Sequence, residues 1–209
     1  LGTHTMNTLD FQKAGDAYTG EMNWWGAMAW AEQLVYGGSD DWRLPVVVDT
    51  GTPLCNSGTS GTDCGYNVQT ADISTDPVTV YSEWAYMYYV NLGFTARLYP
   101  DGSPRSDFGI FGNGTHNGVD NSSFGQRDVG LVQNLWNTQY WTGTDYGAYD
   151  SAWRFSPITG GQGPQPKEAF NYVWALRTGD VPEPGTLILL GLGFAGLSAM
   201  RKRGRFRRS

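Results

Sequence analysis

Apolar residues along the chain follow a helical period early and a strand-like alternation late. Between Asn23 and Tyr36 they fall at Trp24, Ala27, Met28, Ala31, Leu34 and Val35, which predicts an amphipathic helix. Asn23 is a good N-cap, and Gly37-Gly38 supplies a left-handed stop. A second helix is predicted from Ser82 to Leu92, where Trp84, Met87, Tyr88 and Asn91 share a face and Gly93 ends the run. The stretch Asp49–Asp76 between them is rich in Gly, Ser, Thr and Asp and reads as a loop. Phe94–Tyr99 reads as a strand and Gly109–Gly130 as a polar, Gly-rich excursion. Gln139–Thr144, Ser151–Ser156 and Asn171–Arg177 alternate or cluster aromatics as strands do. Helix, loop, helix, then strands is an α+β order rather than a repeating βαβ one.

The pattern changes at Val181-Pro182-Glu183-Pro184, where two prolines stop any helix or strand. Gly185 to Met200 carries no charge, and a basic cluster of Arg201, Lys202, Arg203, Arg205, Arg207 and Arg208 follows at once. Leu187–Met200 as one helix would span about 22 Å, short for a hydrocarbon core of roughly 30 Å. Basic side chains that snorkel extend its reach. A transmembrane helix is therefore expected over about 186–200 with a basic end at 201–208, and the positive-inside rule places residues 1–180 outside the cytoplasm. Gly191 to Gly196 fits the GxGxxG spacing of a dinucleotide-binding turn. That turn needs a second strand and an acid about 20 residues on, and no acid follows Glu183. The order Pro-Glu-Pro, short apolar helix, Arg-rich end resembles the PEP-CTERM sorting domain of Gram-negative bacteria. That resemblance implies an exosortase-type membrane protease as partner and transient residence in the inner membrane.

Charge and composition narrow the function of the body. Six of the 14 basic residues lie in the last nine positions, so residues 1–184 hold 20 acids against 8 bases, a net of −12. A body that acidic repels polyanions, which argues against nucleic acid as a partner. Charged residues are only 16% of the chain while aromatics are 14% and Gly numbers 29, as suits short strands and ordered loops with enough apolar area to fold. The two cysteines, Cys55 and Cys64, would close a small loop in an oxidising compartment and otherwise stay as thiols. The first residue is Leu1, with no charged and apolar leader, so a secretory signal is expected to have been removed or to lie outside this sequence.

Within the body, the aromatic-rich helix followed by Gly37-Gly38-x-Asp40-Asp41-Trp42-Arg43-Leu44-Pro45 resembles the DUF1566, or Lcl C-terminal, domain. Tyr140-Trp141-Thr142-Gly143-Thr144 resembles that family's YWSST-type strand. Ala152–Phe155 and Tyr172–Arg177 fall where the family has its closing hairpin. The middle, about residues 49–135, is longer and poorly matched, and Val46-Val47-Val48-Asp49 stands where the family usually has Glu-Leu. The resemblance implies a C-type-lectin-like fold with an extracytoplasmic binding or structural role and no catalytic residues. It divides the chain into an N-terminal segment at 1–22, a globular domain at 23–178 and a sorting tail at 179–209.

Individual residues support few sharper readings. Trp42 is expected to fill the core and Arg43 to hold a loop through its fork of donors. Tyr140 and Trp141 could stack on a sugar, but a core strand pair is the simpler expectation. The loop Asp107–Asp120, with Asn113 between, offers oxygen ligands for calcium without the EF-hand spacing, so no cofactor is expected beyond that weak candidate. No nucleophile elbow, HExxH or phosphate loop is present, and His116 is the sole His well inside the body, so no enzyme is expected. The leading expectation is an exported, exosortase-processed surface or matrix protein that binds extracellular polysaccharide. A purely structural matrix protein is the alternative, ahead of a surface-polymer hydrolase.

Overall fold

In a computed structural model of the chain, the described residues are 20–48, 63–75, 78–106, 108–109, 126–129, 132–136 and 138–177. In chain order the elements are α1 (Trp24–Glu32), β1 (Trp42–Arg43), β2 (Gly65–Tyr66), β3 (Ala71–Asp72), β4 (Thr79–Val80), α2 (Glu83–Ala85, continuing as a π-helix over Tyr86–Asn91), β5 (Gln126–Val129), β6 (Val132–Trp136), β7 (Tyr140–Asp145), β8 (Ser151–Ser156), β9 (Gly161–Pro166) and β10 (Leu176–Arg177). The main sheet has the order β2-β9-β8-β7, and β1-β10, β3-β4 and β5-β6 form two-stranded sheets. The ladders of the main sheet are antiparallel. Two short helices with mostly antiparallel sheets make an α+β architecture. The chain divides into two compact units, Leu1–Leu176 and Arg177–Ser209.

Sheet alternation explains how the helices are placed. Tyr140 pairs with Phe155, and Trp141 with Arg154, so each pair points to opposite faces of β7 and β8. On one face Trp141 and Ala152 pack with Trp24, Ala27 and Ala31 of α1. On the other, Tyr140 and Phe155 pack with Trp84, Ala85 and Tyr88 of α2. Trp84 stacks on Phe155 at 5.7 Å with rings 4° apart. Trp153 meets Val47, Cys64 and Tyr146 in a third cluster. Each ring buried this way contributes on the order of 4 kcal/mol. Trp24 Nε1 donates to the Thr142 carbonyl and Trp141 Nε1 to the Met22 carbonyl, both at 2.9 Å, which locks α1 onto β7.

Helix ends differ from the sequence expectation in instructive ways. Asn23 caps α1 as expected, its side chain accepting from Gly26 N–H at 3.0 Å. The helix stops at Glu32, however, not at Tyr36. Tyr36 and Ser39 exchange backbone hydrogen bonds across Gly37 and Gly38, whose φ values of 62° and 79° make a type I′ hairpin turn. The two glycines turn a hairpin instead of ending the helix, so Val35 is 73% exposed and Met28 also leaves the predicted stripe. In the second helix, Ser82 caps the start by accepting from Ala85 N–H. Its later turns are π-helical, with Leu92 N–H bonded to the Met87 carbonyl, and the wider turn leaves Asn91 exposed beside buried Trp84 and Tyr88.

Phe94–Tyr99 is not a strand. It is an extended stretch bridged at Leu98 to Pro104 around a turn, and Arg97 N–H reaches the Thr159 carbonyl. Of Asn171–Arg177 only Leu176–Arg177 is a strand, and it lies beside β1, so Ala152–Phe155 and Tyr172–Arg177 form no hairpin with each other. The ladder instead runs from β8 to β9, whose Pro164 and Pro166 pair with Trp153 and Ser151. Alternate prolines lack their N–H on one edge only, and Gln162, in the same phase, spends that edge on Gly65 of β2. The predicted loops also hold short strands: β2 and β3 lie within 49–76, and β5 begins within 109–130.

Two anchors hold the loops. Gln162 is buried, accepting from the Ser82 hydroxyl and donating to the Asp63 carbonyl, both at 2.6 Å. Lys167 Nζ lies 2.8 Å from Asp145, 3.3 Å from Asp150 and 5.0 Å from the centre of the Trp24 ring. Burial pushes the Asp145 carboxyl up, but the Lys167 ammonium and the Gly147 N–H outweigh it and hold the group below its ordinary value. Burial pushes Lys167 down, and its two carboxylates more than offset this, leaving it raised.

A depressed carboxyl contributes stability that is complete above its unfolded pKa of about 3.9 and fades as pH falls through the folded value. A raised ammonium contributes stability that is complete below about 10.4 and fades as pH rises through the folded value. Denaturation of Asp145→Asn followed against pH should therefore show a shallower loss of stability below about pH 4 than the parent chain. A second expectation concerns two glycines at positive φ, Gly147 at 75° and Gly160 at 69°. A Cβ at Gly147 meets nothing within 4 Å, whereas one at Gly160 lies 2.8 Å from the Tyr89 hydroxyl and 3.0 Å from Ala96 Cα. Gly147→Ala should cost about 1–2 kcal/mol by chemical denaturation, and Gly160→Ala should cost a further 1–3 kcal/mol or so from overpacking.

Candidate functional site

The residues singled out by sequence are mostly scaffold. Leu44 and Pro45 are buried, and the segment they begin runs between β7 and the start of α2. Gly143 N–H bonds to the Pro45 carbonyl, and Thr144 Oγ1 bridges both backbone groups of Val47 at 2.9 and 3.1 Å. On the other side Glu83 N–H bonds to the Val46 carbonyl. Arg43 meets Glu83 through two parallel bonds of 2.6 and 2.7 Å, while Glu83 also accepts from Val46 N–H. This fork-to-fork pair fixes the strand segment to the first turn of α2, and the hydrogen bonds to Glu83 followed by its charge raise the Arg43 pKa. Glu83 carried no motif of its own and was not legible as this partner.

Trp42 does not fill the core. It is half-buried, with Nε1 near the Tyr36 and Ser39 carbonyls at 3.3 and 3.1 Å and its ring edge-on to Tyr36 at 6.0 Å. Tyr140 and Trp141 are buried, at 4% and 0% exposure, so neither offers a face to a sugar. Asp41 and Arg177 are exposed. Cys64 is buried and disulfide-bonded. Its Sγ lies 3.3 Å from the Gln162 carbonyl, a contact and not a hydrogen bond, since a disulfide sulfur has no proton to donate. Cys55, the chain's other cysteine, lies outside the described residues, as do Asp107, Asn113, Asp120, His116 and the whole stretch 178–209. Among the described residues there is no cluster of three or more His, Cys, Asp or Glu.

What the tertiary structure assembles is an aromatic groove of about 380 Å³. Trp30 comes from α1, Trp42 from β1 and Trp136 from the end of β6, while Tyr172 and Trp174 come from the segment before β10. Trp136 stacks on Tyr172 at 5.5 Å with rings 23° apart, and Trp174 stands edge-on against buried Trp84 at 5.3 Å. The Tyr140 hydroxyl accepts from Trp136 N–H and donates to its carbonyl, which pins the strand end that carries the ring. Desolvation, then the nearby Glu21 charge, raises the Tyr172 pKa, so its phenol stays a neutral donor and acceptor in the groove. Rigid rings with a few polar tips suit the apolar faces and hydroxyl rims of sugars.

Outside this body, the family described as the PEP-CTERM protein-sorting motif matches residues 180–203. The chain carries a PEP-CTERM sorting motif. It is therefore an exported protein targeted to an exosortase, a membrane protease, by way of a membrane-anchored precursor. The match takes in Val181–Pro184 and the first three basic residues, Arg201, Lys202 and Arg203; Arg205, Arg207 and Arg208 lie beyond it. No curated protein and no solved structure matches the chain. Among the described residues no helix is long and apolar enough to cross a membrane, and the predicted span at 186–200 lies outside them. Deleting Val181–Pro184 should leave the precursor in the inner membrane, as read by fractionation and immunoblotting; normal processing of that variant would refute recognition through these residues.

Proposed function

We propose that this PEP-CTERM protein is a surface or extracellular-matrix component whose body binds extracellular polysaccharide in the groove of Trp30, Trp42, Trp136, Tyr172 and Trp174. The observation that carries the reading is that groove: Trp30, Trp42, Trp136, Tyr172 and Trp174, from four separate stretches of chain, line one cleft, and Trp42, Trp136 and Trp174 are held there by hydrogen bonds or ring contacts. A role in packing alone would be served by rings turned into the core, as Trp84, Trp141 and Trp153 are. We assign the body to the C-type-lectin-like DUF1566 domains on the strength of the Asp41–Pro45 and Tyr140–Thr144 motifs, and give it no catalytic role. After exosortase processing the protein is delivered to the cell surface or its surroundings.

The test is calorimetric titration of the full-length chain, in detergent, with extracellular polysaccharide from the producing bacterium. Saturable heat is expected, and Trp136→Ala should weaken binding at least about tenfold, the equivalent of about 1.4 kcal/mol, with the far-UV spectrum unchanged. Repeating the titration with calcium and then chelator should change nothing. A loss with chelator would move the site to the Asp107–Asp120 loop, and no heat under any condition would leave the structural-matrix reading.

A further inference from the structure

A second cavity, of about 480 Å³, shares no lining residue with the aromatic groove. Arg154 of β8 lines it, flanked across the sheet by Trp141 and Gly163, neither of which can supply a counter-charge. No Asp or Glu is among the described residues that line it. Arg154 Nε is buried without a hydrogen-bond partner, and so is Gln139 Oε1 in the same cavity. Desolvation lowers the Arg154 pKa with only the Tyr66 phenol opposing it, yet a guanidinium remains charged at any physiological pH. A half-buried guanidinium whose Nε has no partner is costly to a fold, whereas Arg43 has its guanidinium paired with Glu83.

The two orphaned groups have opposite needs. Arg154 lacks an anionic acceptor, and Gln139 Oε1 lacks a donor. Thr159 Oγ1 accepts from Gly161 N–H at 3.3 Å, which leaves its own O–H free to donate. A neutral sugar would satisfy the amide and leave the cation; a simple carboxylate would do the reverse. We propose that this cavity binds a hydroxylated carboxylate, a uronic acid residue, with the carboxylate on Arg154 and a ring hydroxyl donating to Gln139. A dense polyanion is disfavoured by the net charge of −12 on residues 1–184, so the fitting polymer carries sparse acid residues in an otherwise neutral chain. The site is independent of the aromatic groove and stands or falls on its own probes.

The experiment titrates the full-length chain in detergent with sodium D-glucuronate, D-glucose and acetate, at constant ionic strength. Glucuronate should bind saturably and at least ten times more tightly than either of the others. Arg154→Met should abolish glucuronate binding while leaving the Tm unchanged or higher, because it removes a half-buried charge whose Nε has no partner. Gln139→Leu should keep the Tm and erase the preference for glucuronate over acetate. Absence of glucuronate binding, equal binding of acetate, or a lowered Tm in Arg154→Met would each overturn the proposal. Whatever Arg154→Met does, an unchanged preference in Gln139→Leu would overturn it equally.

Discussion

Everything in this body depends on the β7–β8 ladder being buried on both faces. Tyr140, Trp141, Trp153 and Phe155 are each at most 4% exposed although neighbours point opposite ways. A sheet with large rings on both sides cannot be covered by a single layer. It draws α1 onto the Trp141 face and α2 onto the Phe155 face, and it needs the Val46–Val48 segment beside Trp153. The short helices follow from this. Their task is to deliver Trp24 and Trp84 to the sheet, and three turns or fewer suffice.

The polar interactions serve the same layering. Long connections cost chain entropy, and the fold ties elements on either side of them at single buried points. Gln162 joins β9 to the cap of α2 and to the Asp63 backbone, and Lys167 joins β9 to the β7–β8 turn and to α1. Arg43 and Glu83 do the same between β1 and α2. Against these satisfied groups, four side-chain atoms are buried without a partner among the described residues, the indole Nε1 atoms of Trp84 and Trp153, Arg154 Nε and Gln139 Oε1, and of these Arg154 and Gln139 line one cavity. The contrast within one small domain gives those two residues a meaning that neither would carry alone.

The sorting motif and the binding proposed for the body lie on separate parts of the chain. The sorting motif is legible in sequence alone as Pro-Glu-Pro beside an apolar run and a cationic end. The aromatic groove has no meaning without tertiary structure, because its rings come from residues as far apart as 30 and 174.

Sequence alone determined whatever depends on neighbours along the chain. Asn23 as a cap, the alternation of Ser151–Ser156, the α+β order and the sorting motif are all local chemistry. Only tertiary structure decided where a local signal had two outcomes. Gly37-Gly38 can end a helix or turn a hairpin, and the reciprocal bonds of Tyr36 and Ser39 chose the hairpin. Gly161–Pro166 forms β9 despite its two prolines, which are tolerated because their missing donors face an edge that β2 leaves unpaired. Trp42, Trp136 and Trp174 look like any core aromatic in sequence. They line a groove because the two covering layers were already filled by Trp24, Trp84, Trp141 and Trp153, and burial depends on the space left in three dimensions.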